Sequence, residues 1–209
     1  TIVGKSVCEN LCFSGGSHTN DTGPVRNPHS LSHTSGGSSS GSAALVSNGD
    51  VEMALGGDQG GSIRMPASWC GIVGLKPTFG LVPYTGAFPI EITLDHLGPI
   101  TKNVTDCALM LEVISGADGL DPRQSRIKKT SYTTDLNSDY SKLKIGIVKE
   151  GFEWKDLSEE SVDQMVREAS KKFGAYDIEV QDISIPIHRD GMHIWNAIAI
   201  EGANSLMIK

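Results

Sequence analysis

The chain has 209 residues, of which 38% are hydrophobic and 21% charged, so it has the length of one globular domain or a large part of a bigger one. Its net charge is −7 and it has no run of lysine and arginine, which argues against direct binding to nucleic acid. The longest apolar stretches, such as residues 80–90, are shorter than the ~20 residues that span a bilayer, so no membrane anchor is expected.

The two ends and the cysteines give further expectations. The sequence starts without a Met or a signal-like segment and stops inside a helix-like run, residues 197–209. We therefore interpret residues 1–209 as part of a single domain truncated at both ends, because no linker-like stretch divides the chain. The cysteines form no CxxC pair and are too sparse for a disulfide framework, which predicts reduced thiols and a cytoplasmic location. They are Cys8, Cys12, Cys70 and Cys107.

Two clusters of glycine and serine lie in the first half of the chain. The first, residues 35–42, leads directly into the sequence Ala-Ala-Leu-Val at 43–46, which can start a helix. The second, residues 56–64, follows the apolar run 51–55 and precedes Pro66. Each cluster therefore predicts a tight loop at the N-terminus of a helix, rather than a flexible linker between domains.

The second cluster has the features of a site for attack on a carbonyl group. Attack by a hydroxyl creates an oxyanion, and backbone N–H groups in a glycine-rich turn can stabilise it. Gln59, Gly60, Gly61 and Ser62 supply such a turn, in which glycine allows a close approach and a positive φ. The sequence thus predicts Ser62 as the nucleophile, with the preceding residues as an oxyanion hole.

A serine nucleophile also needs a base, and histidine is the usual one. The six histidines could form a Ser-His-Asp set with Asp95 or Asp58, but none lies in a recognisable catalytic turn. They are better interpreted as surface or hydrogen-bonded side chains. His188 and His193 are five residues apart and lack a third ligand nearby, so neither a zinc site nor another metal site or cofactor is expected.

The later elements follow from hydrophobic periodicity. We predict a helix from Val104 to Ile114, capped by Asn103, and a buried strand over residues 144–148. A helix is predicted from Glu159 to Phe173, with a strand over residues 178–180 after it. Such a strand-helix-strand unit normally pairs its strands in parallel. The predicted ends of its helix are Ser158 as N-cap and Gly174 as C′ residue.

The motifs GGSSSGSAALV, residues 36–46, and GGDQGGSIRMPASWCGIVGLKPTFG, residues 56–80, resemble the signature of the amidase family. The resemblance is close over residues 1–124 and looser beyond. It implies an α/β amidase-signature fold, partly present, with a mixed β-sheet core flanked by helices on both faces. It also implies a Ser-Ser-Lys triad that forms an acyl-enzyme, with Ser62 attacking, Ser38 relaying its proton, and a cis peptide between Gly37 and Ser38.

The chain departs from this family pattern at the lysine. In similar enzymes the base lysine lies farther upstream than the 37 residues that precede Ser38 here. Lys5 belongs to a Gly-Lys-Ser segment that resembles a later part of the family sequence. Lys76 lies downstream of both serines and is interpreted as structural. The resemblance therefore predicts that these 209 residues lack the general base.

The resemblance is nearer to bacterial nitrile-pathway and general amidases than to the transamidase subunit that acts on glutamyl-tRNA, which usually has Thr where Gln59 stands. It matches Phe13 and Trp195 to aromatic positions in the acyl pocket, although core packing explains them equally well. Asp58 and Arg64 are expected to brace the loop.

Three hypotheses remain open: hydrolysis of a small carboxamide to carboxylate and ammonia, a transamidase subunit, and a non-catalytic relic. The expected partner is a small amide, with a homodimer as an open possibility, and neither nucleic acid nor a membrane.

Overall fold

The computed structural model of the protein describes residues 1–125 and 127–207. Its contacts divide the chain into two compact units. The first unit contains residues 1–136 and 199–209, and the second contains residues 137–198. Within the described residues, no helix combines the length and apolar character needed to cross a membrane.

Among its described residues, the first unit contains two antiparallel sheets. Strands β1 (Arg26–Asn27) and β2 (Ser30–Thr34) form a two-stranded sheet. The larger sheet has the order β3-β5-β4, with β3 at Met53–Asp58, β4 at Val73–Gly74 and β5 at His96–Thr101. Asp58, the last residue of β3, pairs with His96, the first residue of β5. The sheet therefore fixes the point at which the second glycine turn begins.

Within the part of the chain that the structure describes, four helices lie wholly in the first unit: α1 (Ser40–Asn48), α2 (Arg64–Trp69), α3 (Val104–Ile114) and α4 (Tyr132–Asp135). The helices predicted after both glycine-serine clusters are confirmed, as α1 and α2. Helix α3 has the predicted bounds. Its predicted cap is also confirmed, because Asn103 Oδ1 accepts a hydrogen bond from the Asp106 N–H at 2.9 Å.

A small apolar core anchors the loops of the first unit. Val46 on α1, Ile63 beside the second turn and Ile100 on β5 are fully buried and pack together. Each such side chain contributes roughly 1.5–3 kcal/mol of burial free energy. Since Ile63 directly follows Ser62, this core holds the predicted nucleophile in place.

The second unit contains strand β6 (Lys144–Val148), helix α5 (Glu160–Lys171) and strand β7 (Glu179–Ile183). The two strands pair in parallel, which confirms the predicted strand-helix-strand unit. Helix α6 runs from Gly191 to Met207, and its residues from Ala199 onward belong to the first unit. The predicted α/β class is confirmed, with antiparallel sheets in the first unit and a parallel pair in the second.

The predicted ends of α5 were wrong. The N-cap residue is Glu159 rather than Ser158. The Ser158 hydroxyl does not accept a helix N–H and instead donates to Asp163 Oδ2 at 2.9 Å. Gly174 is not a C′ residue, since the helix continues into a 3-10 turn, Lys172–Tyr176. Asp177 is the residue that takes the left-handed conformation, with φ 57°. Both errors arise because local side-chain and 3-10 hydrogen bonds compete with the simplest capping pattern.

Candidate active site

A cavity of about 310 Å³ in the first unit contains both predicted catalytic serines. Ser38 precedes α1 and Ser62 precedes α2, so one cavity collects the loops from both glycine-serine clusters. Polar and apolar side chains share its wall, which suits a ligand with one polar end. The lining residues are Cys8, Leu11, Cys12, Ser38, Gly57, Asp58, Gln59, Ser62, Tyr84, Ala87, Phe88, Ile90, Asp95 and Leu97.

The backbone of Ser38 is hydrogen-bonded to the N-terminal segment. The Gly37–Ser38 peptide is cis, as the resemblance implied. The Ser38 carbonyl accepts the Glu9 N–H at 3.0 Å. The buried Glu9 carboxylate in turn accepts the Thr19 hydroxyl at 2.5 Å. A side chain at Gly37 would collide with the carbonyl oxygen of Gly16, so the close approach of these loops requires glycine there.

The two serine loops are joined through Ser39. Its N–H donates to the Ser62 carbonyl at 3.2 Å. Its hydroxyl lies 3.2 Å from the Gly57 carbonyl and accepts the Gly57 N–H at 3.1 Å. These contacts fix the backbones that carry Ser38 and Ser62, which are 1% and 9% exposed. A direct contact between the two hydroxyls stays a prediction.

Asp58 organises the glycine turn. Its Oδ1 accepts the Gly61 N–H at 2.8 Å, and its Oδ2 accepts the Ile63 N–H at 3.1 Å. Arg64 forms a two-pronged ion pair with it, with Nη2 2.9 Å from Oδ1 and Nε 3.0 Å from Oδ2. Burial opposes ionisation of Asp58, but Arg64 and the backbone donors outweigh it and lower the pKa of the carboxyl. The predicted bracing role of this pair is confirmed.

The residues of the predicted oxyanion hole differ in their surroundings. Gln59 lines the cavity and Gly60 is exposed in the turn. Gly61 has a φ of +129°, a conformation that favours glycine. The Gly61 N–H, one of the predicted oxyanion donors, already donates a hydrogen bond to Asp58. Oxyanion binding by these residues stays a prediction.

The two aromatic residues assigned to the acyl pocket have different positions. Phe13 is 46% exposed and does not line the cavity, whereas the neighbouring residues Leu11 and Cys12 do. Leu11 and Cys12 have φ values of 52° and 56°, which side-chain-bearing residues rarely adopt. Trp195 lies on α6 in the second unit, and its part in an acyl pocket stays a prediction.

Most residues of the apolar cavity wall were not predicted from the sequence. Tyr84, Phe88 and Ile90 come from the long connection between β4 and β5, which shows no helical or strand periodicity. Asp95, at the end of this connection, is 2% exposed, and its Oδ2 accepts the Ile90 N–H at 2.8 Å. Burial raises the pKa of Asp95. No periodic signal could have assigned these residues, because their positions depend on irregular backbone.

Lysine is absent from the cavity lining formed by residues 1–125 and 127–207. Lys76 donates to the Pro77 carbonyl at 2.8 Å and contacts His96 Nε2 at 3.2 Å. His96 Nδ1 is 2.6 Å from the Leu94 carbonyl, which fixes this ring nitrogen as a donor. Burial lowers the pKa of both Lys76 and His96. These contacts engage the Lys76 amine and both nitrogens of His96, and the structural role of Lys76 stays a prediction.

The chain is similar to known proteins along its whole length. The family profile described as Amidase matches residues 1–209. The chain is 51% identical over 212 residues to an enantioselective amidase of Rhodococcus rhodochrous, covering 100% of the chain and 40% of that protein. It is 41% identical over 204 residues to a glutamyl-tRNA(Gln) amidotransferase subunit of Caldanaerobacter subterraneus, covering 98% of the chain and 41% of that protein.

Among solved structures, a glutamyl-tRNA(Gln) amidotransferase subunit of Thermotoga maritima matches with a TM-score of 0.92 and 37% identity. The match covers 98% of this chain and 45% of that one. The chain thus spans about two fifths of the length of the curated relatives that it matches.

Proposed function

Because this chain belongs to the amidase family, we propose that the protein is a serine-dependent amidohydrolase that converts a small carboxamide to a carboxylate and ammonia. The observation that carries the proposal is the cavity that contains both Ser38 and Ser62, with their loops joined through Ser39. A serine is activated when a positioned group takes its proton, and a second hydroxyl can relay that proton. Ser62 on the second loop can act as the nucleophile, and the Ser38 hydroxyl on the first loop can act as the relay.

In the proposed mechanism, Ser62 Oγ attacks the amide carbonyl carbon while its proton passes to Ser38 and then to a basic lysine. Backbone N–H groups of the turn Gln59 to Ser62, other than the Gly61 N–H that donates to Asp58, stabilise the oxyanion. The C–N bond breaks as a returned proton converts the leaving group to ammonia. Water then attacks the acyl-enzyme and releases the carboxylate. Each of these steps uses protein groups and water, without a cofactor.

We place the base lysine outside residues 1–209. Lys5 is exposed, and Lys76 is engaged with Pro77 and His96. A lysine acts as a base only when its surroundings lower its pKa toward the working pH. On this proposal, residues 1–209 form part of a single amidase domain and contribute the nucleophile, the relay and the oxyanion donors.

The cavity also supports a substrate class. Its volume of about 310 Å³ and its apolar lining residues, among them Leu11, Phe88 and Ile90, suit a short aliphatic or an aromatic acyl group. The polar end of the cavity at Ser38, Gln59 and Ser62 suits the carboxamide.

The experiment that tests the nucleophile uses the full-length protein. We expect Ser62→Ala to abolish ammonia release from propionamide and benzamide and to prevent labelling by a fluorophosphonate probe. Ser68→Ala is the matched control, because Ser68 lies exposed on α2, close to the turn. Labelling of Ser62→Ala at the level of the unchanged protein would place the nucleophile elsewhere.

A second candidate is the transamidase subunit. The 41% identity to the Caldanaerobacter protein and the TM-score of 0.92 to the Thermotoga structure favour it. The 51% identity to the Rhodococcus amidase, and Gln59 in place of Thr, favour the hydrolase. Ammonia release from benzamide without tRNA or a partner subunit would support the hydrolase. A requirement for both would support the transamidase, and failure to react with the fluorophosphonate probe would support a non-catalytic relic.

A further inference from the structure

Two cysteines of the N-terminal segment lie at the cavity. Cys8 and Cys12 both line it, together with Ser38 and Ser62. They are four residues apart on a tight turn, in which the Cys12 N–H donates to the Glu9 carbonyl at 2.9 Å. Leu11 and Cys12 adopt left-handed backbone conformations there. The turn therefore reverses the chain between the two cysteines and presents both side chains to the same cavity.

The pKa of the Cys12 thiol reflects its surroundings in the cavity wall. Burial raises the pKa of Cys12 to about 11, and the charge and hydrogen bond of Cys8 add to this effect. A hydrogen bond from the Ser38 side chain acts in the opposite direction, by favouring the thiolate. Cys12 thus shares a cavity wall with Cys8 and with Ser38, the residue that we propose as the proton relay.

Accessibility distinguishes this pair from the other two cysteines. Cys8 is exposed and Cys12 is partly exposed, so a small oxidant in solution can reach them. Cys70 and Cys107 are buried, and the Cys70 thiol donates to the Ser35 carbonyl at 3.4 Å. Thiol oxidation is selective for exposed sites, particularly where a second thiol is adjacent.

We propose that Cys8 and Cys12 form a modification site for hydroperoxides, at which an intramolecular disulfide alters the cavity wall beside Ser38. Its effect on amide hydrolysis rests on the proposed function. The Cys8 sulfur attacks hydrogen peroxide, an S–O bond forms, the O–O bond breaks, and one water leaves. The Cys12 sulfur then attacks Cys8, an S–S bond forms, the S–O bond breaks, and the Cys12 proton leaves in a second water. The two thiols lose two electrons, which reduce the peroxide.

The disulfide has a direct structural consequence. It ties the Cys12 sulfur to Cys8 and so changes the shape of the cavity wall that both cysteines share with Ser38. Displacement of a reacting group by about 1 Å can cost on the order of 100-fold in rate. We therefore expect oxidation to lower amide hydrolysis by about tenfold or more, and reduction by dithiothreitol to restore it.

The disulfide is tested by mass spectrometry of the full-length protein after treatment with hydrogen peroxide. Trypsin cleaves after Lys5 and Arg26, so the peptide of residues 6–26 contains both cysteines and no other. The expected product is this peptide lacking two hydrogen atoms, with its original mass restored by dithiothreitol. A peptide that stays reduced, or that gains oxygen atoms at separate cysteines, would overturn the proposal.

The functional effect is tested with Cys8→Ser, which removes the attacking thiol and leaves Cys12 in place. We compare each variant with and without peroxide. Treatment should leave the rate of Cys8→Ser at its own untreated value, whereas Cys107→Ser, with its change on α3, should lose activity as the unchanged protein does. Equal peroxide sensitivity of Cys8→Ser and the unchanged protein would refute the effect on catalysis. A reduced protein without amide hydrolysis would instead contradict the proposed function, and the peptide mass would still decide the disulfide.

Discussion

The two units differ in which side chains they bury. The first unit buries charged and polar groups such as Glu9, Asp58 and Ser38, and gives them backbone hydrogen bonds. In the second unit, α5 has no buried residue, and its apolar Val162 and Met165 are 52% and 69% exposed. Burial of polar groups is costly unless they are paired, so it is concentrated where a particular arrangement is required. The difference supports the proposal that amide hydrolysis takes place in the first unit.

The second unit is held by different contacts. The parallel pair β6 and β7 supplies its backbone ladder. Arg167 lies 4.2 Å from the centre of the Phe152 ring, and Arg189 lies 4.6 Å from that of Trp154. Such contacts contribute about 0.5–1 kcal/mol each at exposed sites. Equivalent substitutions in the two units should therefore have unequal effects, which can be measured.

The largest contrast is expected for serine substitutions in the full-length protein. Ser38→Ala should lower amide hydrolysis on the order of 10⁴-fold, because members of a catalytic triad act together. Ser170 in the second unit donates to the Arg167 carbonyl at 2.8 Å, so Ser170→Ala should change turnover little. Steady-state ammonia release measures both. Comparable rates for Ser38→Ala and the unchanged protein would remove Ser38 from the proposed mechanism.

A second contrast concerns carboxylates. Asp58→Asn weakens the acceptor for Gly61, Ile63 and Arg64, and we expect the free energy of unfolding to fall by about 1–3 kcal/mol. Asp182 in the second unit is half exposed and 3.7 Å from Arg167, so Asp182→Asn should cost little. Urea denaturation of both variants measures the difference. Equal losses would contradict a special role for Asp58 in bracing the turn.

The lowered pKa of Asp58 also predicts a pH dependence. A carboxyl whose pKa is depressed in the folded state contributes stability that is fully present above the unfolded-state value. For Asp58 this contribution is complete above the ordinary pKa of 3.8 and disappears as the pH falls through the lower folded-state value. The difference in stability between the unchanged protein and Asp58→Asn should therefore shrink below about pH 4. A difference that is constant down to pH 2 would contradict this assignment.

The cap of α3 gives a smaller expected effect. Asn103→Ala removes the acceptor for the Asp106 N–H and should lower the free energy of unfolding by about 1 kcal/mol. Asn103→Ser retains a capping oxygen and serves as the control. Thermal unfolding followed by circular dichroism compares the two. If Asn103→Ser were as destabilised as Asn103→Ala, the cap would not be the source of the effect.

Elements with a regular backbone could be predicted from the sequence, whereas irregular loops could not. Helix α3 with its cap, the loops before α1 and α2, and the parallel pair β6 and β7 were all predictable, since periodicity and glycine clusters mark them. The apolar wall of the cavity was not. Leu11 and Cys12 face it through left-handed turns, and Tyr84 and Phe88 reach it from an irregular connection. Periodicity locates elements, whereas irregular backbone decides which side chains line a cavity.

The smallest effect is expected for a substitution on α5. The same exchange, valine to threonine, can also be made in the first unit, which allows a direct comparison. Val162→Thr exchanges a methyl group for a hydroxyl on a side chain that is 52% exposed, so water can hydrate the new group. We expect a change within about 0.5 kcal/mol in the free energy of unfolding. Val46→Thr makes the same exchange in the fully buried core, where an unpaired hydroxyl costs about 1–3 kcal/mol. Urea denaturation of the two variants compares the units directly. A loss for Val162→Thr as large as that for Val46→Thr would mean that the apolar face of α5 is covered in the full-length protein, and the contrast between the units would then not extend to it.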